Sequence, residues 1–354
     1  MIDRDDLRAA VSAGVVTEAQ AARLAALADS RKGARENLNA GDEPFELFKG
    51  FNEIFIVVGL VILGAGYLAV AGLSTELGQQ NVFSRAILFA ALGAVILWAL
   101  SEYFIRRRRM VAPAITLSIF WAINAGIGLT AWLSEPFMVA QENLNSLPLP
   151  LAVTTLAVLA WWARFRVPFA MALIALGAFG VALMWVAARN GTPARIEEIF
   201  LLSADGGFAW ITLGLGVVFF AIAMAFDMSD PHRVTRRAAN GFWLHIIAAP
   251  ALVNTLALTL LSGEGMNMLL ALVLAVFALV AIIIDRRSFL IAAVGYCVTL
   301  AFTVFGGEGG AAVILTLGIV LLVLGAFWER IRAVLLRAFA GVLPLDRLPP
   351  STAA

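Results

Sequence analysis

The stretch IFIVVGLVILGAGYLAVAGL, residues 54–73, decides the fold class. It contains no charged side chain, and a helix of about 20 apolar residues is long enough to cross the hydrocarbon core of a bilayer. The rest of the chain has the same character: 62% of its 354 residues are hydrophobic, only 14% are charged, and the mean hydropathy is +0.92. This composition excludes a soluble globular domain and a disordered chain, and the net charge of +1 gives no bias toward nucleic acid.

Nine further apolar runs reach or approach this length, so the sequence predicts an all-α polytopic membrane protein with ten transmembrane helices. The predicted spans are 54–73, 84–105, 111–133, 146–163, 167–188, 207–226, 241–262, 266–284, 288–305 and 310–328. Twenty-two lysines and arginines lie on one predicted side of the membrane and three on the other. Because positively charged loops stay in the cytoplasm, this split predicts that both termini are cytoplasmic.

Acidic residues recur at the predicted inner ends of the spans, at Glu53, Glu102, Asp227, Asp285 and Glu329. We interpret them as interfacial ion pairs that fix the helix ends, and Glu102 can reach Arg106 one helical turn later. The alternative is an acidic vestibule at the inner surface. Trp98 and Trp161 lie near inner ends as well, where tryptophans form an interfacial belt.

The chain divides into three segments. Residues 1–43 are predicted to form a cytoplasmic helical hairpin and a polar linker, residues 44–328 the membrane domain, and residues 329–354 a cytoplasmic amphipathic helix with a proline-rich tail. The apolar stripe of this last helix follows helical spacing: Ile331, Val334, Leu335, Ala338 and Phe339. Arginines lie off the stripe, which is typical of a helix on the anionic inner leaflet, and a partner-binding helix is the alternative.

The N-terminal hairpin carries clear helix signals. Gly14 ends its first helix, and Thr17 with Gln20 three residues later forms a capping box that begins the second. Leu24 and Leu27 form the apolar stripe of this second helix. Because about thirty residues cannot bury a stable core alone, we expect the hairpin to dock on the membrane domain or on another protein.

The last spans contain an internal repeat with a period of 44 residues. The repeated residues are Glu264 and Glu308, Asp285 and Glu329, and Arg286 and Arg330. Each unit has an outer acidic glycine turn, one span and an inner acid–base pair. This predicts duplication of a helical hairpin in one direction, unlike the inverted repeats of many transporters. The alternative is chance agreement between glycine turns and inner charges.

Few polar side chains lie inside the predicted spans, and three of them form the candidate site: Asn124 in span 3, with His245 and Asn254 in span 7. His245 and Asn254 lie nine residues apart on the same predicted span, and Pro250 between them frees a backbone carbonyl. A polar site beside a broken helix is one hypothesis. Interhelical hydrogen bonds, each contributing about 0.6–2 kcal/mol, are the other.

The sequence shows no pattern for catalysis, metal binding or cofactor binding. The chain has one cysteine, Cys297, and two histidines, His232 and His245, which are too few for a Cys/His zinc site. We therefore expect no enzyme, no metal, no cofactor and no nucleic-acid partner. The expected partners are the lipid bilayer and a protein bound through residues 1–30 or 329–341. Association with proteins or lipids is the favoured function, a transporter or channel for a neutral or hydrophobic solute is the alternative, and an intramembrane enzyme is less favoured.

Three stretches resemble uncharacterised multi-pass bacterial membrane proteins that begin with a short helical head. They are the opening from Leu7 to GVVTEAQ at 14–20, TRR at 235–237 with FWLHIIAAP at 242–250, and LDRLPP at 345–350. The resemblance implies a protein of the bacterial inner membrane. It implies no activity, so no functional residue is carried over from it.

Overall fold

The computed structural model describes residues 4–31, 51–76, 82–135, 143–263, 265–286, 315–316, 318–341 and 343–350, together with residues 294, 296 and 298. Across these residues the chain is helical and contains no β-strand. The helices are α1 (Arg4–Ser12), α2 (Glu18–Arg31), α3 (Phe51–Glu76), α4 (Val82–Ser101), α5 (Ala112–Leu133), α6 (Pro148–Phe165), α7 (Ala170–Asn190), α8 (Phe208–Met228), α9 (Arg236–Leu261), α10 (Asn267–Ile284) and α11 (Trp328–Ala338). A π-helical turn, Glu102–Arg107, continues α4, and two short 3-10 turns cover Ile196–Ile199 and Leu345–Arg347.

Eight of the described helices, α3 to α10, are long and apolar enough to cross a membrane. They coincide within a few residues with the first eight predicted spans. The surface of α3 is suited to an apolar solvent, because only 6% of its most apolar window is buried and its Ile62 is 66% exposed. Helix α9 is more enclosed, with 50% of its window buried. The predicted ninth span, 288–305, lies almost wholly outside the described residues. Of the tenth span, 310–328, residues 315–316 and 318–328 are described, and they are helical through residue 326. Glu308 of the repeat lies outside the described residues, so the ninth span, the full length of the tenth and the repeat stay predictions.

The described chain forms two compact units. We call them the terminal unit (Met1–Pro44, Arg195–Asp205 and Thr212–Ala354) and the central unit (Phe45–Ala194 and Gly206–Ile211). Helices α3 to α7 build the central unit. Helices α1, α2 and α9 to α11 belong to the terminal unit, with most of α8.

The core of the central unit is aromatic. Trp161 is fully buried, and its ring stacks on Trp121 with 4.8 Å between the ring centroids. The indole N–H of Trp161 donates to Ser118 Oγ at 3.1 Å, and Trp98 packs against the same ring at 6.0 Å. Trp161 lies four residues before the end of α6, near the predicted inner end, but it packs inside the protein, because a partner for its N–H lets the ring enter the core.

The N-terminal hairpin has the predicted capping box. The backbone N–H of Thr17 donates to Gln20 Oε1 at 2.9 Å, and Gln20 N–H donates to Thr17 Oγ1 at 3.2 Å. The buried face of α2 contains Ala21, which is fully buried, whereas Leu24 and Leu27 are 44% and 56% exposed. The predicted apolar stripe of this helix therefore points away from the residues on which the hairpin packs.

Candidate functional site

Asn124, the first candidate residue, connects two helices of the central unit. Its side-chain N–H donates to the carbonyl oxygen of Ala90 on α4 at 2.8 Å. Gly93 makes this approach possible, because a Cβ at that position would overlap Asn124 Oδ1. The contact matches the interhelical hydrogen bond that was the alternative to a ligand site.

His245 and Asn254, the other two candidates, lie on α9 in the terminal unit. Asn254 is partly exposed, nine residues or roughly 13 Å along the helix from His245. His245 is fully buried, and its Nε2 lies 2.9 Å from Asp227 Oδ2 on α8. The described contacts thus place Asn124 and His245 in separate units, and they join His245 to Asp227, one of the acids that the sequence predicts at the inner helix ends.

Arg286 completes the cluster around that acidic residue. Its Nε donates to Asp227 Oδ2 at 3.0 Å, and its Nη2 donates to Asp227 Oδ1 at 2.5 Å and to the Ala238 carbonyl at 3.0 Å. Two parallel bonds from one guanidinium to one carboxylate are the strong, geometrically specific form of this pair. We call Asp227, His245 and Arg286 the Asp227 cluster.

Local backbone structure brings Arg286 to Asp227. Helix α10 ends at Asp285, which has a left-handed conformation with φ 56°, and the N–H of Arg286 bonds back to the Ala281 carbonyl at 2.9 Å. Gly241 on α9 lets this helix approach Asp227 on α8, since a Cβ at position 241 would overlap Asp227 Oδ1. The cluster therefore depends on the end of α8, which carries Asp227, on the start of α9, which carries Gly241, and on the left-handed residue Asp285 that ends α10.

A second set of charges lies beside the cluster. Arg233 Nη1 donates to Asp285 Oδ2 at 2.9 Å, and the indole N–H of Trp328 donates to Asp285 Oδ1 at 2.8 Å. Asp285 thereby joins the α8–α9 loop to the start of α11. Asp230, fully buried in the same loop, accepts from the N–H groups of Val234 at 3.1 Å and Thr235 at 2.9 Å, which orders the entry to α9.

Arg332 on α11 lies beneath the C-terminal tail. Its side chain is 1% exposed, and its guanidinium donates to the carbonyl of Pro350 at 3.3 Å and to that of Pro349. Burial lowers the pKa of Arg332, and the carboxylates of Asp285 and Glu329 oppose that shift. An arginine stays protonated in either case, so the tail encloses a cation.

The charged side chains described above in the terminal unit form a network of ion pairs and hydrogen bonds. Each described carboxylate of the network accepts from an arginine, a histidine or backbone N–H groups, which offsets the cost of burying its charge. In the part of the chain that the structure describes, no three His, Cys, Asp or Glu side chains are placed to hold a metal ion. The arrangement therefore orients helix ends and buries an imidazole beside a carboxylate.

The chain was also compared with known proteins. It matches no protein-family model, no curated protein and no solved structure. No activity is therefore transferred to it by similarity, and its function has to be argued from the residues described above.

Proposed function

We propose that this chain is a multi-pass protein of the bacterial inner membrane, with ten spans and both termini in the cytoplasm, and that it acts by association with a protein partner and with lipid. Two observations support this proposal. Ion pairs and hydrogen bonds join the N-terminal hairpin, the helix ends of the terminal unit and the C-terminal helix. At the same time, apolar side chains of the hairpin stay exposed. Movement of a solute is the second candidate.

Hydrogen bonds within the protein engage many polar side chains of the described spans. Tyr67 donates to the Phe89 carbonyl, and the indole N–H of Trp121 donates to the Ala157 carbonyl at 3.1 Å. Four threonines donate to carbonyl oxygens four residues earlier in their own helices: Thr116, Thr154, Thr155 and Thr255. The bonds of Tyr67 and Trp121 join neighbouring helices, and the threonine bonds satisfy hydroxyl groups within single helices. Both uses favour a structural role for these groups over a solute path.

The hairpin and the C-terminal helix offer the surfaces for association. Arg8 on α1 donates to the Val234 carbonyl at 3.2 Å, so the hairpin docks where the α8–α9 loop ends. Leu24 and Leu27 on α2 stay exposed, as does Val334 on α11 at 60%. Two exposed leucines one helical turn apart form an apolar patch that is typical of a protein-binding surface. The exposed apolar stripe of α11 is typical of contact with a bilayer surface.

Native mass spectrometry of the protein, extracted in native lipid discs, tests the protein-binding part of the proposal. We expect the wild-type chain to retain a protein partner in fixed stoichiometry and the double variant Leu24→Gln, Leu27→Gln to lose it. The control is Arg23→Gln, a change at an exposed position of the same helix, which should retain the partner. A wild-type chain without any protein partner, or a partner that the leucine variant retains, contradicts the proposal.

The Asp227 cluster is the observation that favours transport as the second candidate, because ionisable groups in membrane segments often mark solute or ion paths. The same spectra discriminate the two functions. A retained small molecule that His245→Gln removes, in a chain that retains no protein partner, favours transport of that molecule. A partner lost only on substitution of the leucines favours association.

A further inference from the structure

The central unit carries a strongly basic surface at the ends of α4 and α6. Six arginines lie there, in two segments, and every one of them is exposed: Arg106, Arg107, Arg108, Arg109, Arg164 and Arg166. The first four follow α4, and the last two close α6. We call these residues the arginine surface.

One carboxylate joins the two segments. Glu102 Oε1 lies 2.5 Å from Arg164 Nη2, and Glu102 Oε2 lies 3.1 Å from Arg106 Nη1. A second carboxylate, Glu53, is buried and accepts from the N–H groups of Val111 at 3.4 Å and Ala112 at 3.1 Å. In these described contacts Glu102 engages two of the six arginines, and all six arginine side chains stay exposed.

The backbone holds the arginines in uncommon conformations. Arg109 and Arg166 both have positive φ values, 52° and 55°, which cost energy for residues with a Cβ. The α4 end is a π-helical turn, Glu102–Arg107, a form that is rare and frequent at functional sites. Both segments thus present guanidinium groups from a backbone that departs from the regular helix.

Aromatic rings support several of these guanidinium groups. The guanidinium of Arg166 lies 4.8 Å from the ring centroid of Trp162, and that of Arg108 lies 5.6 Å from the ring of Tyr103. Stacking on a ring restrains the plane of a guanidinium and does not itself use an N–H donor, and Arg108 Nε also donates to the Tyr103 hydroxyl at 3.2 Å. Trp and Tyr at this level are also the residues that favour the headgroup region of a bilayer.

The apolar helices next to the arginine surface provide the second half of a site. Val95 on α4 is 69% exposed, and Leu156 and Leu159 on α6 are 61% and 40% exposed. A ligand that contacts arginines and these side chains together has an anionic head and hydrocarbon chains. An acidic protein segment would match the charge but would leave the apolar side chains uncovered.

We propose that the arginine surface binds the headgroup of an anionic phospholipid, and that a headgroup with two phosphodiesters binds more tightly than one with a single phosphodiester. Each basic segment then contacts one phosphate, and bidentate guanidinium–phosphate bonds supply the specificity. The proposal goes beyond the protein-association site, which lies in the terminal unit, and rests only on the membrane placement proposed above.

Lipid titration followed by native mass spectrometry tests this inference on the full chain. The protein is inserted into phosphatidylcholine discs, and phosphatidylglycerol or diphosphatidylglycerol is added at fixed mole fractions. We expect retention of both anionic lipids over phosphatidylcholine, with diphosphatidylglycerol retained most strongly. In the double variant Arg107→Gln, Arg166→Gln the affinity for diphosphatidylglycerol should fall about 30-fold, because each arginine near an anionic surface contributes about fivefold.

Two matched variants separate the site from general charge effects. Arg189→Gln with Arg195→Gln also removes two exposed arginines and should leave lipid affinity within about twofold of wild type. Arg107→Lys with Arg166→Lys keeps the charge and should recover most of the affinity. Equal retention of all three lipids by the wild-type chain, or equal losses in the two glutamine variants, overturns the proposal. A chain that fails to enter phosphatidylcholine discs at all would instead contradict the membrane placement.

Discussion

Removal of the Arg286 guanidinium is the sharpest perturbation of the terminal unit. In Arg286→Met the Asp227 carboxylate loses the donors at 3.0 Å and 2.5 Å and keeps the described contact to His245, while Ala238 loses its donor at 3.0 Å. Because Asp227 is buried, breaking this pair should cost about 3–5 kcal/mol. At roughly 2 °C per kcal/mol for a large domain, we expect the unfolding midpoint to fall by about 6–10 °C.

The assay is thermal unfolding in one detergent, followed by tryptophan fluorescence, with two comparisons. Arg106→Met removes one of the two arginine partners of Glu102, at a site where the arginine side chain is 52% exposed. Such surface pairs contribute about 0–1 kcal/mol, so the midpoint should shift by less than about 2 °C. The double variant Asp227→Asn, Arg286→Met removes both charges and should recover more than half of the loss. A loss in Arg286→Met no larger than that in Arg106→Met would refute the buried-pair reasoning.

Three further predictions concern packing, capping and the tail. Gly241→Ala should lower the unfolding midpoint by the equivalent of about 1–3 kcal/mol, because the added Cβ would overlap Asp227 Oδ1. Gly180→Ala, where nothing lies within 4 Å of the added Cβ, should leave the midpoint unchanged or raise it. A loss shared by both variants would contradict the packing argument. Thr17→Ala should cost about 1 kcal/mol locally and speed amide hydrogen exchange in α2, and unchanged exchange there would count against the cap. Deletion of residues 343–354 should make Arg332 a trypsin site, since Pro349 and Pro350 cover it; continued resistance would show that other residues protect it.

The spans were predictable because a bilayer imposes a simple rule on the sequence. A helix that crosses hydrocarbon needs about 20 apolar residues, and runs such as 54–73 satisfy the rule without reference to any other part of the chain. The capping box was predictable for the same reason, since Thr17 and Gln20 are three residues apart. The pairing of Glu102 with Arg106 is likewise local, and the structure confirms it at 3.1 Å.

The candidate site was only partly predictable because its contacts are distant in sequence. His245 was singled out as a polar residue in a span, but Arg286 lies 59 residues from Asp227, and nothing in the local pattern selects that pair among the charges at helix ends. A usable signal was present: an acid at the end of span 6 and an arginine after the end of span 8 have to lie at the same side of the membrane. Which arginine turns inward depends on the left-handed stop at Asp285, and that is a property of the folded backbone.

Arginines at the ends of spans thus have two different physical roles in this chain. Arg286 is buried, and a buried charge requires fixed partners, so its removal should change stability at any ionic strength. Arg107 is exposed, where water already solvates the charge, so its removal should change lipid affinity with little effect on the unfolding midpoint. Added salt separates the roles: between about 0.1 M and 1 M the Debye length falls from about 10 Å to about 3 Å, which should weaken lipid retention by the arginine surface while the Arg286→Met deficit persists.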